Sequence, residues 1–319
     1  MNAPAAAPAI DVAFPDISRW AEGNAGLPYV WRHAGAGAGP RVTIQALTHG
    51  NEVCGAIALD WLLAQDFRPA RGTLTLVFAN VAAYASFDPC DPFASRCLDE
   101  DFNRVWDSRA LDGTRRTSEL DRARELRGCY DGTDFLLDLH SMSDACPALA
   151  LAGRRRKGLE LARAVGVPEY VVVDAGHQAG RRLRDYAQFD DPADPRSALL
   201  VECGQHWEPA APAVAMQAML RFLGHFGMAD AAFLDAHLDD GRLPVQKTIE
   251  ITDLVTIASP DFAFVLPVHG MMTVTEGGTL LAQDGGREIR SPYDDCVLLM
   301  PTRRPRLGET AVRLGRFVD

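Results

Sequence analysis

Three segments end an apolar run on residues that can bind a cation or move a proton. "RVTIQALTHGNE" carries His49 and Glu52, "DFLLDLH" ends on His140, and "ALLVECG" delivers Glu202. A histidine and a carboxylate three residues apart can share a cation. A second histidine completes the two-His, one-carboxylate set of a catalytic zinc site, with a position left for water. The remaining carboxylate, Glu202, is then free to serve as a general base. Each residue also has a plain structural reading: a solvated helix start for His49 and Glu52, a core histidine for His140, an ion-pair partner for Glu202. Singly those readings win; three strand ends carrying such residues together point to a site.

Such a site needs strands that stop side by side. "RVTIQAL", "TLTLVFAN", "DFLLDLH", "ALALAG", "YVVVD" and "ALLVECG" are short and apolar on both parities, as expected for strands covered on both faces. Between them, "NEVCGAIALDWLLAQ", "SELDRARELRGCY", "KGLELARAVG" and "PAVAMQAMLRFLGHF" show helical spacing. The class is α/β, a mixed and mainly parallel sheet flanked by helices. In open sheets of this kind ligands collect at the carboxyl ends of strands, and Glu52 is expected in the first turn of a helix. After about residue 238 the texture changes to short strand-like runs punctuated by Gly, Pro and Asp. The expected division is a tail and lead-in over 1–26, an α/β domain over 27–238 and a small all-β domain over 239–319, joined at "LDDGRLP".

The irregular stretch from about 81 to 117 is too long for a passive connection. Its segment "SRCLDEDFNRVW" concentrates Arg96, Asn103 and Arg104. An arginine fork binds a carboxylate, asparagine adds a neutral donor, and an arginine near a polarised carbonyl can stabilise an oxyanion. The alternative is a surface loop whose arginines pair with Asp99, Glu100 and Asp101. His177 in "DAGHQAGRRLRDY" and Tyr293 in "SPYDDC" are further candidates for the pocket wall, and His206 follows Glu202 by four residues. Cys203, of opposite parity to Glu202 in a strand, reads as a core thiol.

The chain has 319 residues and a net charge of −11, which argues against nucleic acid or an anionic membrane as partner. Seven scattered cysteines with no CxxC pair suit a reducing cytosol better than a disulfide framework. "MNAPAAAPAI" lacks a basic start and reads as a flexible Ala/Pro tail, and no segment approaches the roughly 20 apolar residues of a membrane span.

Taken in order, "HGNE", "DEDFNR", "DLH" and "VECG" resemble the succinylglutamate desuccinylase/aspartoacylase family, over roughly residues 27 to 315. The resemblance implies a zinc hydrolase with a carboxypeptidase-like core and a small C-terminal β domain. It puts His49, Glu52 and His140 on the ligands of one Zn2+ per chain and Glu202 on the catalytic glutamate. Arg96 falls on the arginine that polarises the scissile carbonyl, and Asn103 and Arg104 on the pair that holds the substrate's carboxylate. Phe102 stands where leucine is usual, and Ser141 and Met142 stand where some members carry Asn and Thr, which bears on the acyl or side-chain pocket. The implied partner is a small N-acyl amino acid-like molecule, and the resemblance admits a homo-oligomer. Two other readings stay open: a metallocarboxypeptidase with an open groove for peptides, and a metal-binding protein without catalysis. The presence of both Glu202 and Arg96 speaks against the second.

Overall fold

The computed structural model describes residues 9–176, 179–239 and 241–318. Residues 1–8 of the expected tail, His177, and Asp240 of the expected joint lie outside the described residues.

All six strands and four helices read from the sequence form. The strands are β1 (Val30–Ala34), β2 (Gly37–Ala46), β3 (Arg71–Phe78), β4 (Phe135–Met142), β5 (Leu149–Leu151), β6 (Tyr170–Val173) and β7 (Ser197–Gln205). The helices are α1 (Val53–Ala64), α2 (Val81–Ala85), α3 (Ser108–Leu111), α4 (Ser118–Asp131), α5 (Arg156–Val165), α6 (Ala210–His225) and α7 (Ala231–His237). Among these, β1, α2, α3 and α7 are additions to what the sequence pattern suggested.

Strand alternation explains why the runs are apolar on both parities. Leu137 and Leu139 of β4, with Leu199, Val201 and Cys203 of β7, face a core shared with α1, α5 and α6. Leu136 and Ala198 face the opposite core, which includes Leu120, Ala123, Leu126 and Tyr130 of α4. Each fully buried leucine of this kind contributes about 1.5–3 kcal/mol. Thr117 caps α4, its hydroxyl oxygen accepting the Leu120 N–H at 3.1 Å. Glu119 and Asp121 sit in the first turn of that helix, at the positive end of its dipole.

The C-terminal region is all strand, as its texture indicated: β8 (Lys247–Thr256), β9 (Ala263–Phe264), β10 (Met272–Val274), β11 (Leu280–Asp284), β12 (Arg287–Arg290), β13 (Cys296–Leu299) and β14 (Thr310–Phe317). These strands do not all form a sheet of their own. β8 pairs in parallel with β6, Lys247 opposite Tyr170, so one ladder runs β1-β3-β2-β4-β7-β5-β6-β8-β14-β13-β10. The central set β3-β2-β4-β7 is parallel, while β8-β14-β13-β10 is antiparallel. A second sheet, β12-β11-β9, shares an apolar core with β14 through Leu281, Ala282, Ile289, Val312 and Leu314.

Candidate active site

The chain leaves β2 through Leu47, whose φ of 60° is uncommon for a residue with a side chain. The turn that follows buries His49 and Glu52. Gly50 is required there by close approach: a Cβ would stand 2.3 Å from the Ala83 carbonyl carbon and 2.4 Å from the Ser95 oxygen. The Gly50 N–H donates to the Arg96 carbonyl at 3.1 Å, tying this turn to the irregular stretch. Glu52 is the residue before α1, not part of its first turn.

Parallel register does the next step. β4 and β7 align His140 with Glu202 at their carboxyl ends. His49 Nδ1 lies 2.6 Å from Glu52 Oε1, and His140 Nδ1 lies 2.9 Å from Glu52 Oε2. One ligand atom from each of the three residues falls within 4.8 Å of the others. The outer ring nitrogens are held by carboxylates as well: His49 Nε2 is 2.9 Å from Asp101 Oδ1, and His140 Nε2 is 2.9 Å from Asp138 Oδ2, the latter a close contact rather than an in-line hydrogen bond. Carboxylates on the outer nitrogens fix the rings with both Nδ1 atoms inward, the usual support of metal-ligating histidines. Asp138 is itself anchored by Thr48 Oγ1 at 2.8 Å and Gln45 Nε2 at 3.1 Å, and Gln45 Oε1 accepts from the Tyr130 hydroxyl. Two imidazole nitrogens and one carboxylate, buried and convergent, fit a zinc ion in donor type and number.

The two glutamates of the cleft are shifted in opposite directions. Burial works against ionisation of Glu52, yet His49 and His140 hold it well below the usual carboxylate range. Burial pushes Glu202 up to about 7, with the Glu52 charge adding to it and His140 pulling back. Glu202 Oε2 has no hydrogen-bond partner among the described residues. Two carboxyl groups whose environments drive them apart divide into a fixed anion and a proton-exchanging group.

The irregular stretch supplies the opposite wall. Arg96 Nη2 donates to Asp101 Oδ2 at 3.0 Å and Nη1 to Glu52 Oε1 at 3.3 Å. Asp99 and Glu100 point elsewhere, to Ser118 and to Arg115 and Thr117, so only Asp101 of the three acids pairs with these arginines. Asn103 Oδ1 accepts the Leu183 N–H at 2.9 Å, which leaves its amide nitrogen as the available donor. Arg104 makes a 2.8 Å bond to its neighbour's carbonyl and stays 3.9 Å from Asp101. The loop is fixed by Glu119, fully buried in α4. Its Oε1 accepts the Leu98 N–H at 2.6 Å and its Oε2 the Asp99 and Glu100 N–H groups at 3.0 and 3.2 Å.

These groups share a cavity of about 590 Å³, within the range of roughly 300–1,000 Å³ for small-ligand sites. His49, Glu52, Arg96, Asn103, Arg104, His140 and Glu202 all line it. So do Arg182 and, from the C-terminal strands and their connection, Thr302, Arg304 and Arg313. Tyr293 does not: its hydroxyl lies 2.6 Å from Thr252 Oγ1 and its ring packs on the C-terminal core. The site expected for it in "SPYDDC" is corrected accordingly, because the β12–β13 connection lies away from the strand ends. His177 lies outside the described residues. His206 is buried behind the site, its Nδ1 2.8 Å from Ser141 Oγ, and burial pushes it down to about 3. Sequence reasoning missed Asp138, Glu119, Arg182 and Arg313 as parts of this neighbourhood. Asp138 was within reach, since period-two alternation sets it beside His140, and Arg313 is a charge inside the apolar run "AVRLG".

Topology and cavity together define an α/β protein with a polar cleft over the carboxyl ends of its central strands. The model of the succinylglutamate desuccinylase/aspartoacylase catalytic domain matches residues 38–223, and the chain belongs to that family. A probable aspartoacylase of Parasynechococcus marenigrum (strain WH8102) is 35% identical over 136 residues, 39% of this chain and 43% of that protein. The chain thus matches less than half the length of this curated relative. Among solved structures, succinylglutamate desuccinylase from Vibrio parahaemolyticus superposes with a TM-score of 0.66 at 17% identity, covering 88% of this chain and 82% of that one. The product-bound ectoine utilization protein EutE (DoeB) from Ruegeria pomeroyi gives 0.58 at 19% identity, covering 90% and 87%. At these identities the two structures speak for the fold.

Proposed function

We propose that the chain is a zinc-dependent hydrolase that cleaves the amide bond of a small N-acyl amino acid or related carboxylate-bearing amide. His49, Glu52 and His140 would hold one zinc ion per chain; the inward set of both Nδ1 atoms around the Glu52 carboxylate supports this. Bound there, zinc supplies Lewis acidity, lowering the pKa of water to roughly 7 and polarising a carbonyl. Glu202 takes the proton of the attacking water on its unpartnered oxygen and returns it to the leaving amine, a double duty suited to a carboxyl titrating near neutrality. Arg96, kept charged by Asp101 and Glu52, stabilises the negative charge that develops on the amide oxygen. Asn103 and Arg104 bind the substrate carboxylate and set its reach to the strand ends. A cytoplasmic location belongs to the same reading, in keeping with seven cysteines that form no disulfide. No described helix is long and apolar enough to cross a membrane.

The observation that carries the choice of substrate is the C-terminal wall. Met300, Thr302, Arg304, Arg306 and Arg313 line the same cavity as Glu202, which favours a small amide over an extended peptide. The test is turnover by zinc-loaded protein of N-acetyl, N-succinyl and N-formyl amino acids beside a series of peptides. Small N-acyl amino acids are expected to be cleaved. Faster cleavage of the peptides establishes the metallocarboxypeptidase reading. Stoichiometric zinc with no turnover across the panel establishes the inert one.

A further inference from the structure

The apolar run "RVTIQAL" places a glutamine inside a buried strand, and Gln45 is fully buried. Its neighbours Ile44 and Ala46 belong to the core shared with α1 and α6, so alternation turns Gln45 to the opposite face of the sheet. Asp138 is its ladder partner on β4. Tyr130, fully buried as well, reaches Gln45 from α4. None of these three, nor Thr48, lines the cavity. A buried amide is tolerated when its hydrogen bonds are made, and here each one is. Gln45 Oε1 accepts from the Tyr130 hydroxyl, and Nε2 donates to Thr48 Oγ1 at 2.6 Å and to Asp138 Oδ1 at 3.1 Å.

The arrangement fixes directions. A glutamine amide can face either way in a core. Reversed, Gln45 would set Oε1 against Asp138 Oδ1, oxygen against carboxylate oxygen, and would take away the acceptor of the Tyr130 proton. Burial raises the Tyr130 phenol well above its usual range, so the hydroxyl keeps its proton and acts here as a donor. The Thr48 hydroxyl accepts from Gln45 and donates to Asp138 Oδ1 at 2.8 Å. Asp138 Oδ1 is thereby engaged twice, while Oδ2 takes no other partner among the described residues and stands 2.9 Å from His140 Nε2. Tyr130 is itself held: its ring meets Trp106 edge-on at 5.0 Å between centroids, and its carbonyl accepts from Gln188 Nε2 at 2.7 Å. The sequence of bonds thus runs from the body of a helix to a histidine of the cleft.

We propose that Tyr130 is a positioning residue for the metal centre: its hydroxyl fixes the Gln45 amide, which holds Asp138 so that Oδ2 is reserved for His140. The inference rests on the metal-site reading above and deepens it, because it makes metal affinity depend on a helix residue that does not line the cavity.

Zinc binding to the metal-free protein, measured by competition with a chromogenic chelator, tests this without recourse to turnover. Wild type should take up about one ion per chain, as a single three-ligand site requires. Tyr130→Phe removes only the hydroxyl and should weaken zinc roughly tenfold, the lower end of the range for losing an outer partner of a metal-ligating histidine. Gln45→Met fills a similar volume without the amide and should weaken zinc at least as much. In the Gln45→Met background Tyr130→Phe should have no further effect, because its action passes through the amide. Tyr186→Phe is the control. It removes a hydroxyl bonded to Arg127 and Asp131, from a ring packed on the same Trp106, and should keep wild-type zinc affinity. The Tm of each metal-free variant reports the purely structural loss. Tyr130→Phe with a lowered Tm but wild-type zinc affinity overturns the proposal, and so does an undiminished effect in the Gln45→Met background. Either result leaves the metal site standing. Wild type that binds no zinc overturns both readings. Should Gln45→Met fail to fold, Tyr130→Phe against Tyr186→Phe decides by itself.

Discussion

The two walls that carry the proposed chemistry are held by different means. At the strand ends, His140 and Glu202 are placed by the ladder between β4 and β7, and His49 and Glu52 by a tight turn with no room for a side chain at Gly50. Register comes in whole residues, so such a wall cannot drift. The facing loop over residues 94–104 has no ladder. It is held by Glu119, which collects three successive backbone N–H groups, by the bond from Gly50 to Arg96, and by side chains of its own that reach Ser118, Thr117, His49 and Leu183. The difference teaches a division of labour: the groups proposed to hold a cation are set by strand register and a tight turn, and the groups proposed to meet a substrate sit on a loop whose order can be tuned.

Substitutions can break or sharpen that contrast. The largest effect is expected at the strand ends. Glu202→Gln keeps size and shape but cannot take a proton, so kcat should fall by at least roughly 10²–10⁴-fold. Its zinc content, read by elemental analysis, should stay at about one ion per chain, because three other residues supply the ligands. Glu52→Gln should do the reverse on the metal side, losing zinc on dialysis while the fold persists; the opposite outcome for this pair would exchange the two roles. On the loop wall, Glu119→Gln should leave zinc in place but cost about 1–3 kcal/mol of stability, since a neutral amide accepts the three N–H groups less well. Its kcat/KM should fall with Arg96 and Arg104 loosened, and limited proteolysis should open at 97–101. An unaltered cleavage pattern and unaltered kinetics would show that the loop is held by something else. Arg104→Lys should raise KM for a carboxylate substrate about tenfold, while an amidated substrate should be poor for wild type and nearly indifferent to the change.

A further effect, read in stability rather than turnover, concerns the support behind the loop. Arg182 holds the Asp174 carboxyl down to about 2 against its burial. The group is depressed on folding, so its stabilising contribution is complete above an unfolded pKa of about 3.9 and drains away as pH falls towards the folded value. The contribution is on the order of 2 kcal/mol, at about 1.4 kcal/mol per unit. Urea melts between pH 5 and pH 2 should show this loss in wild type, and Asp174→Asn should flatten that part of the profile while being less stable at neutral pH.

What was legible in the sequence follows the same division. Strands and helices with clear periodicity were readable, and so were His49, Glu52, His140 and Glu202, because each terminates a strand or opens a helix and needs only local pattern to be placed. Glu119 was not: it reads as an ordinary acid in a helix's first turn until its partners at 98–100 fold back onto it. Asp101 looked like one of three exchangeable acids, and only the fold shows that it bridges His49 and Arg96 while its neighbours do not. Tyr293 was misread because a β connection gives no periodic signal of which end of the sheet it reaches. The change of texture read at about residue 238 follows local chain chemistry. It carries no information on which strand β8 chooses as neighbour.

That choice has a mechanical consequence. Because β8 completes the ladder of β6, the matched catalytic segment over 38–223 is not a piece that can be cut free. A chain stopped near residue 240 would leave "YVVV" as an unpaired apolar edge, inviting pairing with other chains, and would strip the cleft of the wall that bears Arg313. Swapping the C-terminal strands between relatives would therefore act on solubility and on selectivity at once.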